Sequence, residues 1–282
     1  MNASIVLYNP NQEQLSRLLL CLSDSPVVEN IFLVDNSDKP LDKKFYGRFA
    51  KIVYIFRGKN IGYGAAHNIA LRQSFAAAVD YHLVVNADIH FKPEILQQMK
   101  DFMDKHEDVA LLSPRILSPD GELQYLAKRL PSPTDLILRR FVPDSIGRKR
   151  REDFCLKNTG YNRTMDVPYL SGCFMFLRSA ALAETGLFDE RFFMYPEDID
   201  LTRRLHKRFH TLYYPEATVV HDHARASYHS LRMLMIHIVN MCRYFNKWGW
   251  IYDNERRQFN SAAGRPYNPE PSEEIENGEN ME

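Results

Sequence analysis

The stretch YHLVVNADI, Tyr81–Ile89, decides the fold. Tyr81 to Val85 form a short apolar run, closed by Asn86, Ala87 and Asp88. A run this brief, ending in turn-forming residues, reads as a buried β-strand rather than a helix. Working outward, the same design recurs. SIVLY (Ser4–Tyr8) is closed by Asn9-Pro10, NIFLVDNSD (Asn30–Asp38) turns polar at Asp35, and KIVYIF (Lys51–Phe56) and VALLSP (Val109–Pro114) are further strands. Between them lie segments with helical spacing: QEQLSRLLLCL (Gln12–Leu22), the Ala-rich GYGAAHNIALRQSFAAA (Gly62–Ala78), and KPEILQQMKDFMDKH (Lys92–His106), with proline near its start. Strands alternating with helices give an α/β domain with a mostly parallel sheet. Ligands in such sheets bind beyond the carboxyl ends of the strands. The residues closing the strands, Asn9, Asp35, Asn36, Asn86 and Asp88, are therefore site candidates.

Composition narrows the function. The 282 residues are 45% hydrophobic, enough for a sizeable core. Lys+Arg and Asp+Glu both number 36, so the basic excess of a nucleic-acid binder is missing. Cys21, Cys155, Cys173 and Cys242 are scattered without a CxxC pair, which suits reduced thiols in a cytoplasmic protein. MNASIVLYNPN has no basic segment and only a short apolar run, unlike a signal peptide. No apolar run approaches the ~20 residues of a membrane-spanning helix.

The region from Gly121 to Arg163 is less regular and carries the basic run GRKRRED. Order returns at Val167. TLYYP (Thr211–Pro215) and ATVVHDH (Ala217–His223) read as two short strands, and Ser230–Trp250 as a helix. The expected organisation is a main α/β domain over 1–228, a C-terminal helical extension over 229–256 and a disordered acidic tail over 260–282.

FFMYPEDIDLTRRLH (Phe192–His206) sets Glu197, Asp198 and Asp200 at the start of a helix, behind Pro196. Acidic residues in a first turn favour the helix dipole, and a well-charged surface helix has this appearance. The spacing separates the three. Leu201, Leu205 and Phe209 mark the buried stripe. Asp198 falls on that side and Glu197 at its edge. Asp200 lines up with Arg203, Arg204 and Lys207, where ordinary ion pairs suffice. Asp198 is thus a general-base candidate and Asp200 a structural residue.

Asn86 and Asp88 share a face of an extended chain, and their oxygens suit a hard cation, Mg2+ or Mn2+, that would hold a diphosphate. A simple strand-end turn has the same composition. Among His221, Asp222 and His223, His221 lies closest to a strand end and is the preferred imidazole partner for Asp88. GKNIGYGAAHNIAL (Gly58–Leu71) is not a dinucleotide fingerprint. After Gly62 and Gly64 comes His67 instead of a third glycine, and the segment is outside the first βα unit. Gly62 at a loop-to-helix junction still permits close backbone approach to a ligand.

In this order, VLYNP, LVDNSD, NIGYGAAHNIAL, LVVNADI, SGCFMFLRSAALAETGLFDERFFMYPEDIDLTRRL and VVHDH resemble the family 2 glycosyltransferases of GT-A fold. The likeness is to the rhamnosyltransferase-like members of bacterial surface polysaccharide synthesis. It spans Ser4 to His223, and GLFDERFF.Y.EDIDL is its most specific part. The resemblance implies a Rossmann-like sheet flanked by helices and an inverting transfer from a nucleotide-sugar, with dTDP-rhamnose the leading donor. It implies that Asn9, Asp35 and Asn36 hold the base and ribose, and that Asn60 and Asn68 border the nucleotide pocket near Gly62. Asp88, with Asn86 in place of the first aspartate of an Asp-x-Asp motif, would bind the metal, and His221 would assist at the metal or diphosphate. Gly172 would lie where acceptor and sugar meet, Asp198 would be the base, and Glu197 its neighbour.

The resemblance also implies a saccharide or lipid-linked saccharide acceptor at the inner face of the cell membrane. The C-terminal helix is apolar but interrupted by Arg232, His237, Arg243 and Lys247. It suits a peripheral membrane contact, packing on the catalytic domain, or a homodimer contact. Two competing functions are a sugar-nucleotide nucleotidyltransferase and a non-catalytic nucleotide-sugar binding protein. The first calls for a Gly-rich basic loop after the first strand, which YNPNQEQL does not provide. Asp88 and Asp198 speak against the second.

Overall fold

The computed structural model describes residues 1–135, 144–222 and 231–268. Its centre is a ten-stranded sheet. The parallel block runs β4 (Tyr81–Val85), β1 (Asn2–Leu7), β2 (Asn30–Asp35) and β3 (Ile52–Phe56). Beyond β4 the expected mostly parallel sheet becomes mixed. β10 (Phe174–Arg178) runs antiparallel to β4 and to β6 (Val109–Leu117). It follows the short pair β7 (Ala127–Lys128) and β9 (Tyr169–Leu170) rather than the crossover helix that a parallel strand needs. β11 (His210–His221) lies parallel to β6, and the two strands expected there are one, with a register shift between Tyr214 and Thr218 around Pro215. Proline cannot donate to the ladder, and a shift absorbs it. β5 (Ile89–His90) folds back to pair with the end of β11.

Alternation along the strands builds the two faces. Ala3, Ile5 and Leu7 of β1, with Leu33, pack under α1 (Gln12–Asp24) and α4 (Glu94–Lys105), which contribute Leu15, Leu18, Leu22, Met99 and Met103. The opposite face receives α3 (Tyr63–Ala76), whose Ala66 and Ala70 meet Phe32 and Val34. A short helix, α2 (Lys43–Tyr46), lies between β2 and β3. The basic run expected in an irregular region lies on helix α5 (Asp144–Phe154), where Arg148, Lys149 and Arg150 are exposed.

α6 (Ser179–Thr185) and α7 (Glu197–His206) complete the second face through Leu182, Leu201 and Leu205. α8 (Leu231–Trp248) and α9 (Asn254–Ala262) then pack Met241, Tyr244 and Phe245 against Phe192 and Ile199. Order extends past residue 260, where a disordered tail was expected. The Asn260 side chain accepts from Leu130 N at 2.7 Å and donates to Leu130 O at 2.9 Å. Arg265–Pro266 add strand β12 beside β8 (Met165–Asp166). Composition could not show that Asn260 and Tyr267 find partners in the core domain. Residues 269–282 lie outside the described residues, as does His223.

Candidate active site

Parallel strands bring their carboxyl ends to one edge, and the antiparallel β10 enters the sheet at that edge. Asn9, Asp35, Asn86, Asp88, Gly172 and His221 therefore converge there from separate parts of the chain. Asn36 is buried after β2. Its Nδ2 donates to Asn60 Oδ1 at 3.3 Å and to Gly62 O at 3.2 Å, while its Oδ1 has no hydrogen-bond partner. Asn60 Oδ1 also accepts from Gly62 N at 3.0 Å. Gly62 has φ 93°, and a Cβ there would stand 2.6 Å from Phe193 O. No other residue suits this junction.

Two expected donor residues turn elsewhere. Asp35 is 1% exposed and accepts from Ser37 N at 2.9 Å, Leu41 N at 3.2 Å and Tyr54 OH at 2.6 Å. It pins the loop that follows β2. Asn68 clamps Phe188, accepting from its N at 3.1 Å and donating to its O at 2.9 Å. It fixes the 187–193 loop and does not join the group at the strand ends. Asn9 is exposed, with φ 49° and its N–H donating to Ser37 Oγ at 2.8 Å.

A relay of hydrogen bonds links the two acidic centres. Tyr63 OH stands 3.0 Å from Asn86 Oδ1 and 2.8 Å from Gly172 O and shares its single proton between them. Gly172 N donates to Asp198 Oδ2 at 2.9 Å, and Ile199 N to Asp198 Oδ1 at 2.7 Å. A Cβ on Gly172 would sit 3.2 Å from Asp198 Cβ and 3.5 Å from Tyr63 Cε1, so glycine keeps the relay tight. Burial, reinforced by the acidic groups around it, Asp198 and Asp88 among them, holds the Tyr63 phenol well above its ordinary range and keeps it a donor.

The three carboxylates at the start of α7 divide. Burial pushes the Asp198 carboxyl up to about 6, opposed by the Gly172 and Ile199 amides and the Lys128 charge. Glu197 is more deeply buried than the edge position expected of it, at 4% exposure. Its Oε2 has no hydrogen-bond partner, and burial, then the Asp198 charge, holds its proton well above the glutamate range. Like charges this close do not both ionise readily. Asp200 is structural as expected but not on the surface. Fully buried, it meets Arg204 Nε at 2.9 Å, Lys247 Nζ at 2.6 Å and Trp248 Nε1 at 2.8 Å. Arg203 and Lys207, expected beside it, pair with Asp253 and Glu255 instead.

His221 Nε2 stands 3.3 Å from Asp88 Oδ1. Gln124 orients the imidazole, its Nε2 donating to His221 O at 2.9 Å and its Oε1 standing 3.0 Å from His221 Nδ1. The amide so fixed presents its oxygen to Nδ1 and holds the Nε2 edge of the ring toward Asp88. An oxygen and an imidazole nitrogen meeting in this way fit a shared divalent cation of the Mn2+ type. Among the described residues no three His, Cys, Asp or Glu side chains form a metal cluster.

The sequence reading missed Tyr63, Gln124 and Lys128. Tyr63 lay in plain view in the GYG segment, weighed there only for its glycines. Gln124 and Lys128 belong to a region without periodicity, and only tertiary structure brings them to the strand ends.

The description Glycosyl transferase family 2 matches residues 4–186. The chain belongs to this family. Relatives include the N-acetylglucosaminyl-diphospho-decaprenol L-rhamnosyltransferase of Mycobacterium tuberculosis, 30% identical over 79% of this chain and 76% of that protein. Rhamnosyltransferase WbbL of Escherichia coli K12 is 27% identical over 71% of this chain and 75% of its own length. Among solved structures, mannosyltransferase PcManGT from Pyrobaculum calidifontis, in complex with GDP-Man and Mn2+, aligns with TM-score 0.58 and 14% identity, covering 93% of this chain and 68% of that one. GalNAc-T7 with UDP, GalNAc and Mn2+ aligns with TM-score 0.58 and 13% identity over 88% of this chain, which spans half of that longer one. These neighbours share the GT-A fold. The family 2 member described here is rhamnosyltransferase-like, and its activity class is glycosyl transfer.

Proposed function

We propose an inverting, divalent-metal-dependent glycosyltransferase that moves a sugar, with dTDP-rhamnose the leading donor, to a saccharide carried on a lipid diphosphate. The observation that carries this reading is the relay from Asn86 through Tyr63 and Gly172 to Asp198. It sets a half-buried carboxylate across the strand ends from the Asp88–His221 pair. Asp198, its two oxygens fixed by backbone amides, takes the proton of the attacking acceptor hydroxyl. Oxygen attacks the anomeric carbon from that side, and the nucleoside diphosphate leaves from the other, inverting the centre. Asn36 Oδ1, buried with a lone pair to offer, and the exposed Asn9 accept hydrogen bonds from the nucleoside. Asp88 and His221 would hold the cation, which when bound supplies neutralising charge to the leaving diphosphate. Glu197, protonated beside Asp198, adds no second negative charge to the cleft. The 30% identity with the N-acetylglucosaminyl-diphospho-decaprenol L-rhamnosyltransferase supports rhamnose as the sugar and a lipid-linked acceptor.

Calorimetry tests this reading with dTDP-rhamnose, UDP-glucose, UDP-galactose, UDP-N-acetylglucosamine and GDP-mannose, each with and without Mn2+ or Mg2+. Metal-dependent binding of dTDP-rhamnose that Asp88→Ala abolishes is expected. Binding of no donor under either condition would overturn the assignment.

A further inference from the structure

Most of the large apolar side chains exposed among the described residues fall in one stretch, with Tyr8, Leu20 and Phe56 the exceptions elsewhere. Leu231, Met235 and Val239 recur every fourth residue along α8, and Ile238 stands beside them. Their exposures are 81%, 58%, 44% and 45%. Cys242 and Asn246 continue the same face at helical spacing. Asn246 Oδ1 accepts from Trp250 Nε1 at 2.8 Å, so the turn after α8 extends the patch rather than starting a new one. Trp250, Ile251 and Tyr252 follow it with 43%, 72% and 84% exposure.

Charge says what covers this face. Residues 231–252 contain no aspartate or glutamate. Arg232 and Arg243 are exposed at its margin. An apolar stripe edged by arginines and ended by Trp and Tyr is the composition of a helix lying in a lipid interface. No helix among the described residues is long and apolar enough to cross a membrane. A protein partner would more often bring patches of both signs, whereas an anionic bilayer presents one.

We propose that the outer face of α8, with Trp250, Ile251 and Tyr252, docks on an anionic lipid bilayer. The opposite face of the same helix is already spent on the loop leading to Asp198. Asn240 Nδ2 donates to Met194 O at 3.0 Å and the His237 ring stands edge-on to Tyr195 at 4.7 Å, while Arg243, at the margin, donates through Nη1 to Arg191 O at 2.7 Å. The docking surface and the catalytic loop are therefore two sides of one rigid helix. The inference stands apart from the reaction proposed above, since vesicle binding needs neither donor nor acceptor.

The test is sedimentation of the full chain with vesicles of phosphatidylcholine alone and of phosphatidylcholine and phosphatidylglycerol in equal parts. Binding to the phosphatidylglycerol vesicles that weakens with salt is expected. Arg232→Ala should lower it about fivefold. The pairs Met235→Glu/Val239→Glu and Trp250→Ser/Ile251→Ser should each abolish it, with melting temperatures near wild type because the altered side chains are exposed. The proposal is overturned if wild type stays in the supernatant, or if both paired variants bind as wild type does. It is equally overturned if sedimentation velocity shows a dimer that Met235→Glu/Val239→Glu dissociates, for then a second copy of the chain covers the face.

Discussion

Asp198, the base proposed above, has burial to raise its proton affinity and two backbone amides to hold its oxygens still. Asn would keep one of the two amide contacts through its carbonyl oxygen and lose the basicity, so Asp198→Asn should still fold and lose roughly 10²–10⁴-fold in kcat. The pH dependence has a definite sign. The base works ionised, so kcat/KM should be full above an apparent value of about 6 and fall as pH drops through it, in a profile that Asp198→Asn lacks. The side of the helix on which Asp198 falls was readable from the sequence, because the spacing of Leu201 and Leu205 marks the buried stripe. The depth of Glu197 was not. Its burial comes from Gly64 and Phe188 closing over the start of α7, and neither is near it in the chain.

At the scale of elements, β1, α3 and β4 share a buried polar seam. Asn2 Nδ2 donates to Ser74 Oγ at 3.0 Å, Ser74 Oγ meets His82 Nδ1 at 2.8 Å, and Ser4 Oγ joins His82 Nε2 at 2.8 Å to His67 Nδ1 at 2.7 Å. Burial holds both imidazoles neutral, His82 down to about 3 and His67 well below its ordinary value. The unfolded chain takes up these protons first, so the seam's stability is present above pH 6.5 and is lost as pH falls below it. Ser4→Ala leaves two buried ring nitrogens without a partner. It should cost about 1–3 kcal/mol in urea unfolding at neutral pH. Neighbours on a strand face opposite ways, which sets Ser4 opposite Ile5. That this face meets histidines from two other elements is a consequence of packing and left no trace in local pattern. The sheet was legible in the same partial way. Apolar runs closed by polar residues gave the parallel block, but the direction of β10 depends on the loops before it, which carry no period.

Across the whole molecule, the C-terminal helices are bolted to α7 by charge. Arg203 is almost fully buried and donates to Asp253 through Nη1 at 2.8 Å and Nη2 at 2.7 Å and to Glu255 through Nε at 2.9 Å, with Trp248 stacked 4.1 Å from its guanidinium. Asp253 also caps α9 by accepting from Arg256 N at 2.9 Å. Removing one member strands the other in a dry interior. Asp253→Ala should destabilise the protein by about 3–5 kcal/mol, read by urea denaturation, and open the segment after α8 to limited proteolysis. Divided by composition, the chain promised a catalytic domain with an appendage. The arginines of α7 looked like partners for their own helix, and only the folded arrangement sends Arg203 outward to a residue fifty positions on.

The Asn68–Phe188 clamp gives the 187–193 loop a property its shape conceals. Tyr63 N donates to Phe193 O at 3.0 Å, so both ends of this irregular segment are tied to α3, as a strand is tied to its neighbour. Loops ordinarily breathe alone, on paths that leave the core shut. This one cannot lift without freeing the first turns of α3 as well. In hydrogen exchange it would open with the core as one cooperative unit, and its amides would carry protection normally found inside a sheet.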